Sequence, residues 1–299
     1  MTATVWSVDD WAPVAAEHRA RVRTWTAPHL ARRAAGQRHP VEDFLFEYYS
    51  YSPSKLERWH PGLGHVLTGA GIDEYAALAD YRDCAGGVTA DVERLARRRD
   101  GLSWTRDLLA LTHGRDARTN CFGLHEWAMV YRTRPGEVRH EAYPLRLGHQ
   151  GTDEVVEANR LRCTHFDAFR FFTDDARPRN TATLTRRDQQ ASEQPGCLHA
   201  NMDLYRAAYK FSPFVASELV ADCFELARDI RELDMRASPY DLTSLGYSPV
   251  RVEEASGKAE YVDAQRAFAE RAGILRGRLI DSLDCLLEVV PTEGPRTDR

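Results

Sequence analysis

The sequence predicts a mainly α protein: a single helical domain with a looped central region carrying a short β element. Three observations carry this. Apolar residues recur at helical spacing through the first 113 residues and again from 199 onward. Between 114 and 196 that pattern breaks up, and turn-formers cluster at 134–136, 148–151, 177–180 and 194–196. No linker-like stretch divides the 299 residues, so one domain over 1–290 is expected, with 291–299 a disordered tail.

The elements follow in order. A helix is expected over 10–34, interrupted before Pro28, because proline lacks the N–H a helix interior needs. Pro40 and Pro53 are placed to open short helices over 41–49 and 53–59, since a first-turn proline loses no hydrogen bond. The glycine-rich run 60–71 reads as a loop. Helices over 72–81 and 88–111 come next, the second broken near Gly101. Alternation over 161–172 predicts a strand with Leu161, Cys163, His165, Asp167, Phe169 and Phe171 on one face, a helix being the alternative. Helices then occupy 199–210, 213–235 and 258–290, the last with a break at Gly273.

Composition narrows the function. No run approaches the ~20 apolar residues of a membrane span, and the N-terminus has no basic start followed by an apolar run, so a cytoplasmic protein is expected. Six cysteines in so long a chain then read as reduced thiols. A net charge of −5 speaks against a broad nucleic-acid footprint, although residues 1–40 carry a small arginine surplus. Lys55, Lys210 and Lys258 are the only lysines among 40 basic residues, a bias that either favours planar anion contacts or reflects codon usage. No GxGxxG follows a strand, and there is no Walker loop, HExxH or GxSxG, which removes the nucleotide-binding, zincin and serine-hydrolase classes that depend on them.

The densest chemistry lies at Cys163, His165, Asp167 and Arg170, and its order returns at Cys197, His199, Asp203 and Arg206. Each copy reads Cys-x-His, an acid, then an arginine three residues after the acid. His165 and Asp167 with His199 match the two-histidine, one-carboxylate set of iron sites. Alternatively, Asp167 orients His165 as a general base. His199 and Asp203 lie four apart on a helix, with Arg206 and Lys210 continuing that face. Cys163, His165, Cys197 and His199 could also form a zinc site, although the one-residue gaps are tighter than usual. The plainer readings are buried histidines bonded to neighbouring acids, and an ordinary Asp203–Arg206 ion pair.

Three further features are ambiguous. Six aromatics crowd 44–59, which suits either a pocket for a planar ring or a helical core. His125 and Glu126 could join a site without any spacing that requires it. Asp222, Glu225, Asp229 and Glu232 form an acidic stripe that builds a metal centre if it faces a bundle interior. Interleaved with Arg228, Arg231 and Arg236, it reads better as a salt-bridged face.

The blocks HPVEDFLFEYYSYSPSKLERWHPG, LHEWAMVYR, RCTHFDAFRFF, QPGCLHANMDLY and DCFELARDIRELDMRASPYDL, spread over roughly 10–285, resemble an actinobacterial family labelled 3-methyladenine DNA glycosylase. The resemblance implies a DNA-repair hydrolase that cleaves the N-glycosidic bond of alkylated purines in damaged DNA, without a cofactor. It implies Asp167 and Asp203 as the carboxylates beside His165 and His199, with Tyr48, Tyr49, Tyr51 and Trp59 caging the flipped base. Arg170 and Arg206 would complete the substrate contacts. Scarce lysine favours hydrolysis over a Schiff-base route. The alternative from the residues alone is a metal-dependent oxygenase or oxidoreductase acting on a small molecule. Its iron would sit on His165, Asp167 and His199, or its haem on His199 or His125. A non-catalytic helical interaction protein is the third expectation.

Overall fold

The computed structural model describes residues 3–138 and 140–290. Strand β1 (Thr4–Trp6) leads into α1 (Val8–Ala34), which starts at a capping box between Ser7 and Asp10. Pro28 does not interrupt α1 as expected. Trp11, Ala15, His18, Val22, Thr26 and His29 form one continuous buried face, and packing along it outweighs the single hydrogen bond that Pro28 forfeits. Short helices α2 (Phe44–Tyr48) and α3 (Pro53–Glu57) follow.

A small sheet occupies part of the region expected to be helical. Strands β2 (His65–Leu67), β3 (Tyr81–Cys84) and β4 (Gly87–Ala90) join β1 in the order β1-β2-β4-β3, with α4 (Asp73–Ala76) between β2 and β3. β1 runs parallel to β2, Val5 opposite Val66, and β3 pairs antiparallel with β4, Arg82 opposite Thr89. Local features favour strands here. Val88 and Ala90 alternate inward with Thr89 between them. Gly86 turns the hairpin at φ +83°. At Gly87 a Cβ would collide with the Leu67 carbonyl. The helix expected over 88–111 therefore becomes β4, α5 (Val92–Ala96) and α6 (Arg99–His113), divided at Arg97–Arg98, while Gly101 lies inside α6.

The centre holds α7 (Leu124–Ala128), α8 (Gly148–Ala158), α9 (Phe166–Phe169) and α10 (Gln189–Ser192). The strand expected over 161–172 is not there. Leu161 makes a lone parallel bridge to Asn180, and the Asn180 side chain then takes both backbone groups of Cys163, at 2.8 and 3.0 Å. With its ladder positions satisfied by an amide side chain, the chain turns at His165 into α9.

Three long helices complete the fold: α11 (Leu198–Tyr209), α12 (Ser217–Arg236) and α13 (Ala255–Val289). α12 is buried on most of its circumference, packed by α11 and α13 and touched by α1, α2 and α3. Fully buried Phe224, Leu226 and Ile230 each contribute about 1.5–3 kcal/mol there. The break expected at Gly273 is absent. Gly273 and Gly277 face open space, while Tyr261, Ala272, Leu275, Leu279 and Leu283 keep the opposite face of α13 buried and unbroken. One apolar cluster runs from Val22 to Val290, and a smaller one around Trp11, Trp59, Tyr75 and Tyr81 backs the sheet. Among the described residues, no helix is long and apolar enough to cross a membrane. The tail over 291–299 lies outside the described residues.

Candidate metal centre

Three elements aim imidazoles at one another. His125 is carried by α7, whose start is set by two consecutive left-handed residues, Phe122 at φ 51° and Gly123 at φ 70°. A bulky residue held there costs about 1–3 kcal/mol, which the surrounding packing has to sustain. Gly123 also sits so close to Tyr261 and Ala237 that a side chain would not fit without movement. His199 lies in the first turn of α11, and His165 immediately precedes α9. The His199 ring stacks on His165 at 5.5 Å and meets His125 edge-on at 4.5 Å.

Asp234 of α12 closes the first group. Its Oδ1 lies 2.7 Å from His125 Nε2, and its Oδ2 lies 3.3 Å from Arg231 Nη1, which also reaches Glu126 Oε1 at 3.1 Å. One ligand atom each from His125, His199 and Asp234 falls within 4.8 Å of the others. Asp234 is fully buried, yet His125 and Arg231 overcome the cost of burial and hold its carboxyl well below the usual range. Burial and the neighbouring His125 push His199 down to about 3, so it is neutral at pH 7. Burial disfavours the charged form of His125, but Asp234 outweighs it and raises the ring's pKa.

The second group surrounds His165. Its Nε2 is 3.4 Å from Glu193 Oε1 and 3.4 Å from Asp203 Oδ2. Tyr49 donates to Asp203 Oδ1 at 2.8 Å, and Gln189 donates to Glu193 at 2.7 Å. Burial opposes ionisation of Asp203, but His165 and Arg206 draw its pKa down to about 2. Asp167 turns away from both groups: its carboxylate takes Arg206 Nη1 at 2.7 Å and Arg170 Nε at 3.2 Å. Of the set expected from spacing, His165 with Asp167 and His199, only His199 falls in the group of converging ligand atoms, where His125 and Asp234 are its neighbours. The carboxylate of Asp167 serves two arginines instead.

Tyr48, Tyr49, Tyr51 and Trp59 do not form one cage. Tyr49 and Tyr51 are buried against Tyr205 and Tyr209, and Trp59 belongs to the cluster under the sheet, where its indole donates to Glu218. Tyr48 is half-buried under Arg206 and, with Arg170, lines a cleft of about 650 Å³. The zinc set with Cys163 and Cys197 does not form either. Among the described residues, neither cysteine converges with the histidine nitrogens, and burial keeps the Cys163 thiol up at about 12 and that of Cys197 well above its ordinary value. The acidic stripe on α12 is salt-bridged, Asp222 to Arg21 and Arg278, Asp229 to Arg271.

A narrow cavity of about 10 Å³, room for about one water molecule, adjoins His125 and His199. Cys121, Cys163, Cys197, His125 and His199 line it, with Arg118 and Arg162 exposed near its rim. Sequence reasoning missed Asp234 and Glu193. Asp234 carried a signal: it falls seven residues after Ala227 and four after Ile230, an acid at an apolar position of α12. Glu193 had none, standing just beyond α10 in a segment without period. Neither a protein-family model, nor a curated protein, nor a solved structure matches the chain.

Proposed function

We propose that this chain is a metal-dependent enzyme whose ion is held by His125, His199 and Asp234 and whose substrate is a small anionic molecule. The convergence of those three ligand atoms within 4.8 Å supports the reading above anything else. Two imidazoles and one carboxylate suit a divalent first-row ion, iron(II) foremost, and leave coordination positions open. The ion would supply Lewis acidity or oxidative chemistry at those positions. A neutral His199 and an ionised Asp234 are already in the protonation states that ligation requires. Arg231, which also donates to Glu126, donates to Asp234 Oδ2, as partners of metal ligands commonly do. Arg118 and Arg162 at the rim favour a carboxylate or phosphate on the substrate. Because the rings of His125 and His199 meet edge to face at one point, they fit a single ion better than a haem.

The glycosylase reading stands second. Asp203, kept ionised beside Arg206, supplies the carboxylate it asks for, but its base pocket would have to come from residues other than the expected tyrosines. One experiment separates the two: purify the protein without a polyhistidine tag, then measure bound metal and release of free base from methylated duplex DNA. Near-stoichiometric metal that His199→Ala and Asp234→Ala both lose is the expected result. Metal-free protein that liberates alkylated base would overturn it.

A further inference from the structure

Two of the chain's three lysines, Lys55 and Lys210, line one pocket of about 340 Å³ together with Arg58 and Arg98. Separate stretches of chain deliver them: α3 and its end, the α5–α6 junction and the end of α11. Among the described lining residues Asp80 is the one acid, and it meets Arg98 Nη2 only at 3.6 Å. Among the described residues, no carboxylate pairs with Lys55, Arg58 or Lys210. Arginines elsewhere are neutralised closely, Arg32 by Asp43 at 2.6 Å, Arg146 by Glu253 at 2.7 Å and Arg271 by Asp229 at 2.6 Å. Burial and the nearby Arg206, Arg98 and Arg186 push the Lys210 ammonium below its ordinary value, as like charges do. Four cations against one carboxylate, in a chain of net charge −5, make a hollow whose field favours an anion.

We infer that this pocket binds a small phosphate monoester, its phosphate held by Lys55, Arg58 and Lys210. The site goes beyond the metal-centre reading and shares no residue with that centre. A dianionic phosphate presents several acceptor oxygens, which suits one guanidinium fork and two ammonium groups in a single hollow. A monocarboxylate would leave most of the surplus charge unmet. Ser212 accepts from the Tyr51 hydroxyl at 3.1 Å, which leaves its own proton for a phosphate oxygen. Tyr51 and Tyr209, stacked at 4.8 Å, line the same pocket and give the organic part of the ligand an aromatic surface. Small-molecule sites span about 300–1,000 Å³, and a hollow at the lower end of that range suits a monoester better than a polymer. The acidic net charge likewise disfavours nucleic acid as the source of the phosphate.

The test is isothermal titration calorimetry of tag-free protein, stripped with a chelator and desalted. Inorganic phosphate, phenyl phosphate and a phosphodiester oligonucleotide are the titrants, at matched ionic strength. Stripping separates this site from the metal centre, because phosphate held by an ion is lost with the ion. One equivalent of phenyl phosphate should bind tighter than about 1 mM, and inorganic phosphate more weakly. Arg58→Ala should weaken phenyl phosphate at least about tenfold, and the more exposed Lys55→Ala at least about threefold. The exposed position of Lys55 keeps that variant folded even where loss of the half-buried Arg58 destabilises the chain. Binding that is unchanged in both variants, present only before stripping, or absent altogether overturns the site. Inorganic phosphate that binds more tightly than phenyl phosphate overturns the monoester. So does an oligonucleotide that binds more tightly and is lost in the same variants.

Discussion

Two of the regions that bury histidine do so in opposite ways. Beneath the sheet, His60 bonds to the Tyr81 hydroxyl at 3.0 Å and His18 bonds to the Leu56 carbonyl at 2.9 Å, with no carboxylate bonded to either ring. Burial pushes His60 down to about 3 and lowers His18 too, so both remain neutral and act as packing groups with one polar contact each. In the centre, His125, His165 and His199 adjoin Asp234, Glu193 and Asp203, and of the three rings only His125 makes a short hydrogen bond, to Asp234. Elsewhere a single carboxylate suffices, as at His29 and Asp43, whereas the centre gathers three imidazoles and three carboxylates. Concentrated charge around buried imidazoles, beyond what a core requires, is how a binding centre differs from a satisfied interior.

The contrast can be broken by substitution. The largest effect should come from Asp234→Ala, which leaves His125 and Arg231 buried without their anion. A loss of about 3–5 kcal/mol in urea unfolding at pH 7 is expected. A cost under about 1 kcal/mol would mean the central charges are not coupled to folding. His60→Asn sharpens the other side. In the wild type the folded state keeps His60 neutral, while the unfolded chain protonates below its ordinary value of 6.5. That contribution to stability is therefore complete above pH 6.5 and is lost as pH falls toward 3. Between pH 6 and pH 4 the variant's unfolding free energy should fall by roughly 1 kcal/mol per pH unit less than the wild type's. Identical slopes would show that His60 takes a proton in place. Smallest should be Asp229→Asn, which breaks a 2.6 Å bridge to Arg271 between half-exposed side chains. Less than about 1 kcal/mol is expected, shrinking further in high salt.

Legibility in the sequence followed the same division. The long helices could be read because α11 and α12 repeat apolar residues at helical spacing, and His199 and Asp203 fall on α11 as that period requires. The sheet could not, because β2 has three residues and β4 four, too few for alternation to compete with the surrounding helical pattern. At 161–172 alternation was present but misled, since Asn180 supplies from its side chain what a neighbouring strand would have supplied. The paired Cys-x-His segments do meet in space, with the His165 and His199 rings stacked at 5.5 Å. They could not reveal that Asp167 is claimed by Arg206 and Arg170, or that Asp234 and Glu193 arrive from elsewhere, because such choices are settled by tertiary packing.

α13 carries one more implication. Over roughly 50 Å this single rod packs Tyr261 against Gly123, sends the Gln265 amide to the Gly196 carbonyl and sets Arg276 on Asn201 at 2.6 Å. It thus gauges the spacing between the segment that introduces His125 and the one that introduces His199. One residue inserted near Gly273 would rotate everything downstream by about 100°, swinging Arg276 out of reach while Tyr261 and Gln265 kept their seats. A helix with no ligand of its own thereby acts as a caliper, and its length in residues is as much a specification of the centre as the imidazoles are.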